Sequence, residues 1–269
     1  MSAGPNLRLI IAGPGRAGGA IALASQRAGH EVVGVLSRSG TDQFGPPLDW
    51  DTSMPDADLL LISVNDNSVV EVATGLAEHS SSFAVAAHLS GFLPVTALHV
   101  LSEHGVAVGG FHPLQTLPDP ERGAEALAGS YAGIGGDRLA IDTLTHFATS
   151  LGMVPFPLDD DQRPAYHAAA AAASNFVITS LAVAGDLFVS AGVDQRVARP
   201  LVERAIANLY ESDAGAALTG PIARGDIETV IGHLTAAHQV SDDVGTQFRL
   251  FAEATAIRAG RSSEVQQWK

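Results

Sequence analysis

The sequence predicts an α/β protein in which a doubly wound, mostly parallel sheet over residues 1–157 is followed by an all-helical second domain over residues 158–269. Three observations predict it. Short apolar runs rich in β-branched residues alternate with helical patterning from Leu7 to Phe156. A glycine-punctuated turn stands between the first apolar run and the first helical stretch. After Asp159-Asp160-Asp161, no strand-like run follows for about a hundred residues.

The elements follow in order. Residues 7–12 read as a buried parallel strand halted at Gly13, residues 16–28 as a helix ended by Gly29, and Glu31–Leu36 as a second strand, which completes a β-α-β unit. Residues 39–57 hold Gly45-Pro46-Pro47 and Pro55 and read as loop with at most one short strand. Strands at 58–64, 82–89 and 106–111 alternate with helices at 67–78 and 94–104. A last pair of strands, 131–135 and 153–156, flanks a helix over 138–151 and completes the sheet. In the second domain helices are expected near 161–190, 194–213, 226–238 and 241–259. Alanine at 168–173 lets another helix approach closely, as in a central helix among several neighbours or one packed across a subunit boundary.

The glycines of the first turn have a chemical reading. In Gly13-Pro14-Gly15-Arg16-Ala17-Gly18 the first glycine permits the tight turn, the second leaves room for a pyrophosphate to reach backbone N–H groups, and the third lets helix and strand pack closely. The context, strand before and helix after, makes this a dinucleotide-binding Rossmann turn. An acidic residue at the end of the second strand would suit the free ribose hydroxyl of NAD. The sequence there is Ser37-Arg38-Ser39, a guanidinium with two hydroxyls, which suits the 2′-phosphate of NADP over NAD.

Ligands of open parallel sheets bind at the carboxyl ends of strands. Val64 and Asn65 in Ser63-Val64-Asn65-Asp66, and Ser90 in His88-Leu89-Ser90-Gly91, are therefore candidates for contacting the cofactor; Asn65 is equally placed to cap the next helix. His112, in Phe111-His112-Pro113-Leu114-Gln115, is expected at the nicotinamide end of that cleft or as a structural histidine before Pro113. His167, at the start of the alanine-rich helix, is a candidate acid for a carbonyl oxygen or imine nitrogen. Ser174 is seven residues beyond it, about 10 Å along the axis, and Asn175 is rotated about 80° from it. Asn175 as a catalytic group and Ser174 as a substrate contact would thus require an elongated ligand. Thr219 and Arg224 are candidate contacts for a substrate carboxylate, with Asp226 capping the following helix.

Composition excludes other classes. The formal net charge is −14 with no basic run, so neither nucleic acid nor an anionic membrane surface is an expected partner. There is no cysteine, which removes disulfides, thiolate nucleophiles and cysteine-ligated metals and fits a cytoplasmic location. The histidines show no metal-ligand spacing, and no metal is expected. The only lysine is Lys269, so a lysine acid or Schiff base inside the fold is excluded. Residues 1–12 carry no signal-peptide pattern. The stretch 165–185 approaches membrane-span length but contains Tyr166, His167, Ser174, Asn175, Thr179 and Ser180, so a buried helix is expected rather than a span.

Taken in order, the glycine turn, the three strand-end motifs, Tyr166-His167-Ala168-Ala169-Ala170 with Ser174-Asn175, and the segment 218–226 resemble one bacterial family. Its members are Rossmann-like, oxidoreductase-type proteins whose C-terminal helical domain is catalogued as a domain of unknown function. The chain is more distantly similar to ketopantoate reductases, β-hydroxyacid dehydrogenases, pyrroline-5-carboxylate reductases and deazaflavin-dependent NADP reductases. The resemblance implies an NADP-linked fold and a homodimer through the helical domain. The ketopantoate and β-hydroxyacid enzymes place a lysine and an asparagine four apart on the central helix. Here that spacing offers only His167 with Ala171. The expectation is an NADP-dependent oxidoreductase transferring hydride to a small keto or imino acid; the alternative is a non-catalytic NADP-binding regulator or scaffold.

Overall fold

The computed structural model describes residues 5–51 and 53–268. Its contacts divide the chain into two units, one running to Ala171 and the other starting at Ala172.

The first unit is built on eight strands: β1 (Arg8–Ala12), β2 (Glu31–Leu36), β3 (Pro47–Leu48), β4 (Ala57–Ile62), β5 (Phe83–His88), β6 (Ala107–Leu114), β7 (Tyr131–Gly136) and β8 (Val154–Pro157). They lie in the order β3-β2-β1-β4-β5-β6-β7-β8. Neighbours are parallel except β6 and β7, which are antiparallel. Its helices are α1 (Arg16–Arg27), α2 (Val69–Leu76), α3 (His99–Glu103), α4 (Pro120–Leu127), α5 (Arg138–Ser150) and α6 (Arg163–Ala171).

Alternation along the strands explains why the runs are continuously apolar. Leu9, Leu59, Leu61, Val85 and Phe111 point to one face, under Ile21 of α1, Leu127 of α4 and Leu144 of α5. Ile10, Leu60, Ile62 and Ala86 point to the other, under Val69, Ala73 and Leu76 of α2 and Leu101 of α3. A strand covered on both faces has no side left for polar residues. Two features depart from the sequence reading. Strand β6 runs on to Leu114, because its last residues pair antiparallel with β7 and carry His112 inside the strand. Helix α4 occupies a segment that the sequence left unassigned. Its signals are the Asp119 carboxylate accepting from the Arg122 N–H and Pro120 in the first turn, but eight residues with Gly123 in the middle hide the period.

The second unit contains α7 (Val177–Ser190), α8 (Arg199–Glu211), the short α9 (Ala214–Ala217) and α10 (Pro221–Arg224), α11 (Ile227–Val240) and α12 (Asp242–Arg258). Two small cores hold it together: Val230, Leu234, Ala252, Ala256 and Trp268 in one, Val183, Ala237 and Val244 in the other. Neither reaches α8, which buries none of its side chains. The buried helix expected over 165–185 is corrected here. The helical stretch Arg163–Ser190 is long and apolar enough to cross a membrane by length and composition, and 11% of its most apolar window is buried. The reason is that the unit's own cores are too small to supply a layer over the outer side of α7.

Within the first turn, Gly13 has φ +91°, which favours glycine, and Gly18 lies against Ser63. A Cβ on Gly18 would collide with the Ser63 hydroxyl and with the Gly13 carbonyl, a backbone atom that cannot swing aside, whereas a Cβ on Gly15 would meet nothing within 4 Å. Gly18→Ala is accordingly expected to cost about 1–3 kcal/mol of stability and Gly15→Ala almost nothing. Chemical denaturation of the two variants checks this; equal midpoints would refute the close approach.

Candidate functional site

The groups singled out in the first unit fall along one edge of the sheet. Ser37-Arg38-Ser39 follows β2, the glycine turn follows β1, Ser63–Asn65 follows β4, and Leu89–Gly91 follows β5; His112 lies beyond the last parallel pair of β5 and β6, His88 with Gly110. Sheet order puts these segments side by side. Backbone bonds fasten each to its neighbour: the Gly13 N–H donates to Leu36 O at 2.8 Å, Ser63 N–H to Ala12 O at 2.8 Å, and Leu89 N–H to Ile62 O at 3.0 Å. The Ser63 hydroxyl also donates to the Gly13 carbonyl.

The glycine turn leaves the start of α1 open. Gly15 at the N-cap supplies no side chain, and the first helical turn carries no acidic residue, so the positive helix end is unmatched. Arg38 is exposed and forms no ion pair among the described residues. Ser37 accepts from the Thr41 N–H at 3.1 Å, with the Ser39 hydroxyl 3.4 Å away. Val64 packs against Gly13. Asn65 stands at the helix start without a capping side-chain bond, and the Ser90 hydroxyl accepts from the N–H groups of Phe92 and Leu93 at 3.1 and 2.9 Å.

At the β5 and β6 end the side chains converge. The His112 ring places Nδ1 2.7 Å from the Tyr166 hydroxyl, with the two rings perpendicular. The His167 ring lies edge-on to His112 at 5.8 Å, and Phe92 lies 6.3 Å from His167. Gly91 makes this possible, because a Cβ there would strike both imidazoles. Tyr166 and His167 are brought in by α6, whose first residue, Arg163, has zero exposure. Positions three and four beyond Arg163 share its face of the helix. The Arg163 Nε donates to Asp160 at 2.9 Å and Nη1 donates to Ser90 O at 3.2 Å; Nη2 has no partner among the described residues and rests against the bare Cα of Gly110. Asp160 in turn accepts from the Val95 N–H at 2.9 and 3.0 Å.

Burial sets the protonation of this cluster. It pushes His112 down to about 4, helped by the charges of His167 and Arg163. His88, fully buried and donating Nε2–H to Pro94 O at 3.2 Å, is likewise held at about 4 by burial and then by Arg163. Burial raises the Tyr166 phenol to about 12, with Arg163 opposing. Both histidines are thus neutral and the phenol protonated near neutral pH.

The remaining candidates belong to the second unit. Ser174 and Asn175 fall in a π-helical turn, Ala172–Phe176, a local widening of the helix. Thr219 is exposed. The Arg224 guanidinium holds Asp226 at 2.8 Å, so Asp226 stands at the start of α11 without the capping bond expected of it. Sequence reasoning missed Arg163, Asp160, Tyr166 and His88. One legible signal was the Gly109-Gly110 pair inside a strand, which marks a close approach by another group.

This sheet order and glycine turn define a Rossmann-like fold with an attached helical unit. Residues 3–113 match the family model of the Rossmann-like domain, and residues 130–255 match that of the Domain of unknown function (DUF2520). The chain therefore joins a Rossmann-like domain to a DUF2520 domain, the pairing its motifs resemble. Nothing among the curated proteins matches it. Among solved structures it is similar to BF3122 from Bacteroides fragilis, whose name proposes an NADP oxidoreductase, with 23% identity over 94% of this chain and 98% of that one and a TM-score of 0.79. Protein TM1727 from Thermotoga maritima is 20% identical over 95% and 99%, with a TM-score of 0.67. The pyrroline carboxylate reductase of Plasmodium falciparum, with NADP bound, is 13% identical over 94% and 98%, with a TM-score of 0.63.

His88 couples the site to acid stability. Its folded value, about 4, lies below the unfolded 6.5, so between those values the unfolded chain binds a proton that the folded one refuses. Stability should be complete above pH 6.5 and fall by roughly 3 kcal/mol as the pH drops towards 4. His112, held at a similar value, adds a slope of its own, so His88→Gln should reduce the total slope without abolishing it. Denaturant titrations across this range measure it, and an unchanged slope in the variant would contradict the account.

Proposed function

We propose that the protein is an NADP-dependent oxidoreductase that transfers hydride to a small carbonyl or imine compound of the keto-acid or imino-acid class. The observation that carries this is the unbroken row of loops on the carboxyl edge. At about 4.8 Å per strand, β2 to β6 spans roughly 19 Å, a run suited to an extended dinucleotide. The residues fit such a ligand: Gly15 is exposed with open space around it, and the open helix end of α1 offers N–H groups to a diphosphate. Arg38 with Ser37 and Ser39 would take the 2′-phosphate. Val64, Asn65 and Ser90 line the way towards His112 and His167. The NADP bound by the Plasmodium reductase supports the same reading for this fold.

When bound, NADPH supplies the hydride. The chain's own residues orient the acceptor and deliver the proton, with His112, Tyr166 and His167 as the groups nearest that end. Within the helical unit, Ser174, Thr219 and Arg224 are proposed as substrate contacts and Asn175 as a catalytic group. Arg38→Ala should weaken NADPH binding about 10- to 100-fold and leave NADH nearly unchanged, and Gly15→Ala should weaken both while the fold persists. Fluorescence titration decides: an NADH preference in the unmodified protein would refute the 2′-phosphate assignment. Tight NADPH binding with no acceptor ever reduced would favour the regulator.

The helical unit is proposed to form a homodimer. Helix α8 leaves Leu201 and Tyr210 70% and 84% exposed, and Ile178 of α7 is 61% exposed. Between α7 and α8 lies a cleft of about 370 Å³ lined by Leu181, Phe188 and Val202. An apolar surface of this extent, on a chain otherwise rich in acidic groups, suits a second copy of itself. Light scattering should return twice the chain's mass, and Leu201→Glu with Tyr210→Glu should return a monomer. A monomeric unmodified protein would refute the interface.

A further inference from the structure

We propose that the Tyr166 hydroxyl is the proton donor to the reduced carbonyl oxygen or imine nitrogen, and that His112 is the positioning residue that holds it and returns its proton from solvent. This rests on the oxidoreductase reading above. Reduction of a C=O or neutral C=N bond needs a hydride on carbon and a proton on the heteroatom. The only lysine in the sequence is Lys269, which lies outside the described residues, so the described residues hold no lysine donor.

The side chains at the β5 and β6 edge narrow the choice. His88 is sealed, with Nε2–H given to the Pro94 carbonyl. The Ser90 hydroxyl accepts from two backbone N–H groups, and neither is a group that could return a proton to it. His167 touches its neighbours through ring faces and edges only. Tyr166 and His112 alone form a hydrogen-bonded pair of two exchangeable groups, at 2.7 Å. The pair is half-buried rather than sealed, and Gly91 leaves the His112 Nε2 side unobstructed by a side chain of its own.

The proton count closes. Hydride adds to the carbon, the C=O or C=N π pair moves to the heteroatom, and that atom takes the Tyr166 proton, leaving a phenolate. The His112 Nδ1–H passes to the phenolate oxygen, while Nε2 takes a proton from water. The imidazole returns to its starting tautomer by exchange with solvent. A neutral imidazole, carrying one N–H and one lone pair, is the form this relay needs. One proton is drawn from solvent per turnover.

The test has two readouts. In the protein without substrate, ¹⁵N NMR of the histidines should show a hydrogen-bonded Nδ1 on His112 whose shift changes in Tyr166→Phe. With NADPH and each of cyclohexanone, 2-oxobutyrate and 2-methyl-1-pyrroline, the last at a pH where it arrives unprotonated, Tyr166→Phe should lower kcat at least about 100-fold with the KM for NADPH unchanged. His112→Ala should lose a similar factor, and His112→Asn, which keeps an N–H within reach, should recover part of it. Tyr166→Phe within threefold of the unmodified kcat, a loss confined to His167→Asn, or an unmoved His112 Nδ1 shift would each overturn the proposal while leaving the oxidoreductase reading intact. An unmodified protein that binds NADPH and reduces none of the three probes would instead overturn that reading, and this donor with it.

Discussion

The candidate site depends on one buried charge. Arg163 has no exposed surface, and removing a guanidinium from water costs several kcal/mol that only good partners offset. Asp160 and the Ser90 carbonyl are those partners, and Asp160 also holds the Val95 N–H. The first residue of α6 is thereby tied to the loop after β5 and seated on Gly110 of β6. Everything three and four residues further along that helix face is placed as a consequence. Phe156 of β8, edge-on to Tyr166 at 5.8 Å, supports the same placement from the other side. Removing Asp160 alone would leave the guanidinium uncompensated, a loss of about 3–5 kcal/mol for pairs of this kind.

The sheet was legible in the sequence because parallel strands covered on both faces must be continuously apolar, and Leu59-Leu60-Leu61-Ile62 can be little else. The glycine turn was legible for a different reason, since Gly13 answers a demand of backbone conformation and Gly18 one of close approach, while Gly15 keeps open space. The site was legible only in part. His112 and His167 stood out as polar residues after a strand or at a helix start. Arg163 and Tyr166 did not, because the change of texture after Pro157 assigned them to the helical region, where an arginine reads as surface and a tyrosine as core. Only the shape of the fold shows that Gly110 lacks a side chain because a guanidinium occupies the space.

The second unit illustrates a limit of periodicity itself. Apolar spacing along α7 and α8 records that a face is to be covered, and says nothing about which chain covers it. The sequence reading of 165–185 as a buried helix left its cover open, either neighbouring helices or a subunit boundary. The structure leaves Phe176 and Ile178 more than half exposed, so the apolar face is there and the described residues do not cover it. A similar ambiguity governs Arg224 and Asp226, two residues apart. An acidic residue before a helix is usually a cap, but a neighbouring guanidinium competes for the same carboxylate and here takes it.

The absence of lysine and the presence of Arg163 belong to one electrostatic argument. A cationic donor buried beside a guanidinium would be pushed towards its neutral, proton-depleted form, as His112 is by burial first and then by the charges of His167 and Arg163. A phenol avoids this conflict, because it is neutral while it holds its proton and becomes negative on giving it up. Burial alone resists that phenolate, whereas the nearby guanidinium favours it, the two effects acting on Tyr166 in opposite directions. Burial, with the Arg163 charge assisting, empties the imidazole, and that same charge favours the anion the imidazole would reprotonate. A tyrosine with a neutral histidine behind it is the donor such a site can accommodate without a second buried charge before the reaction begins.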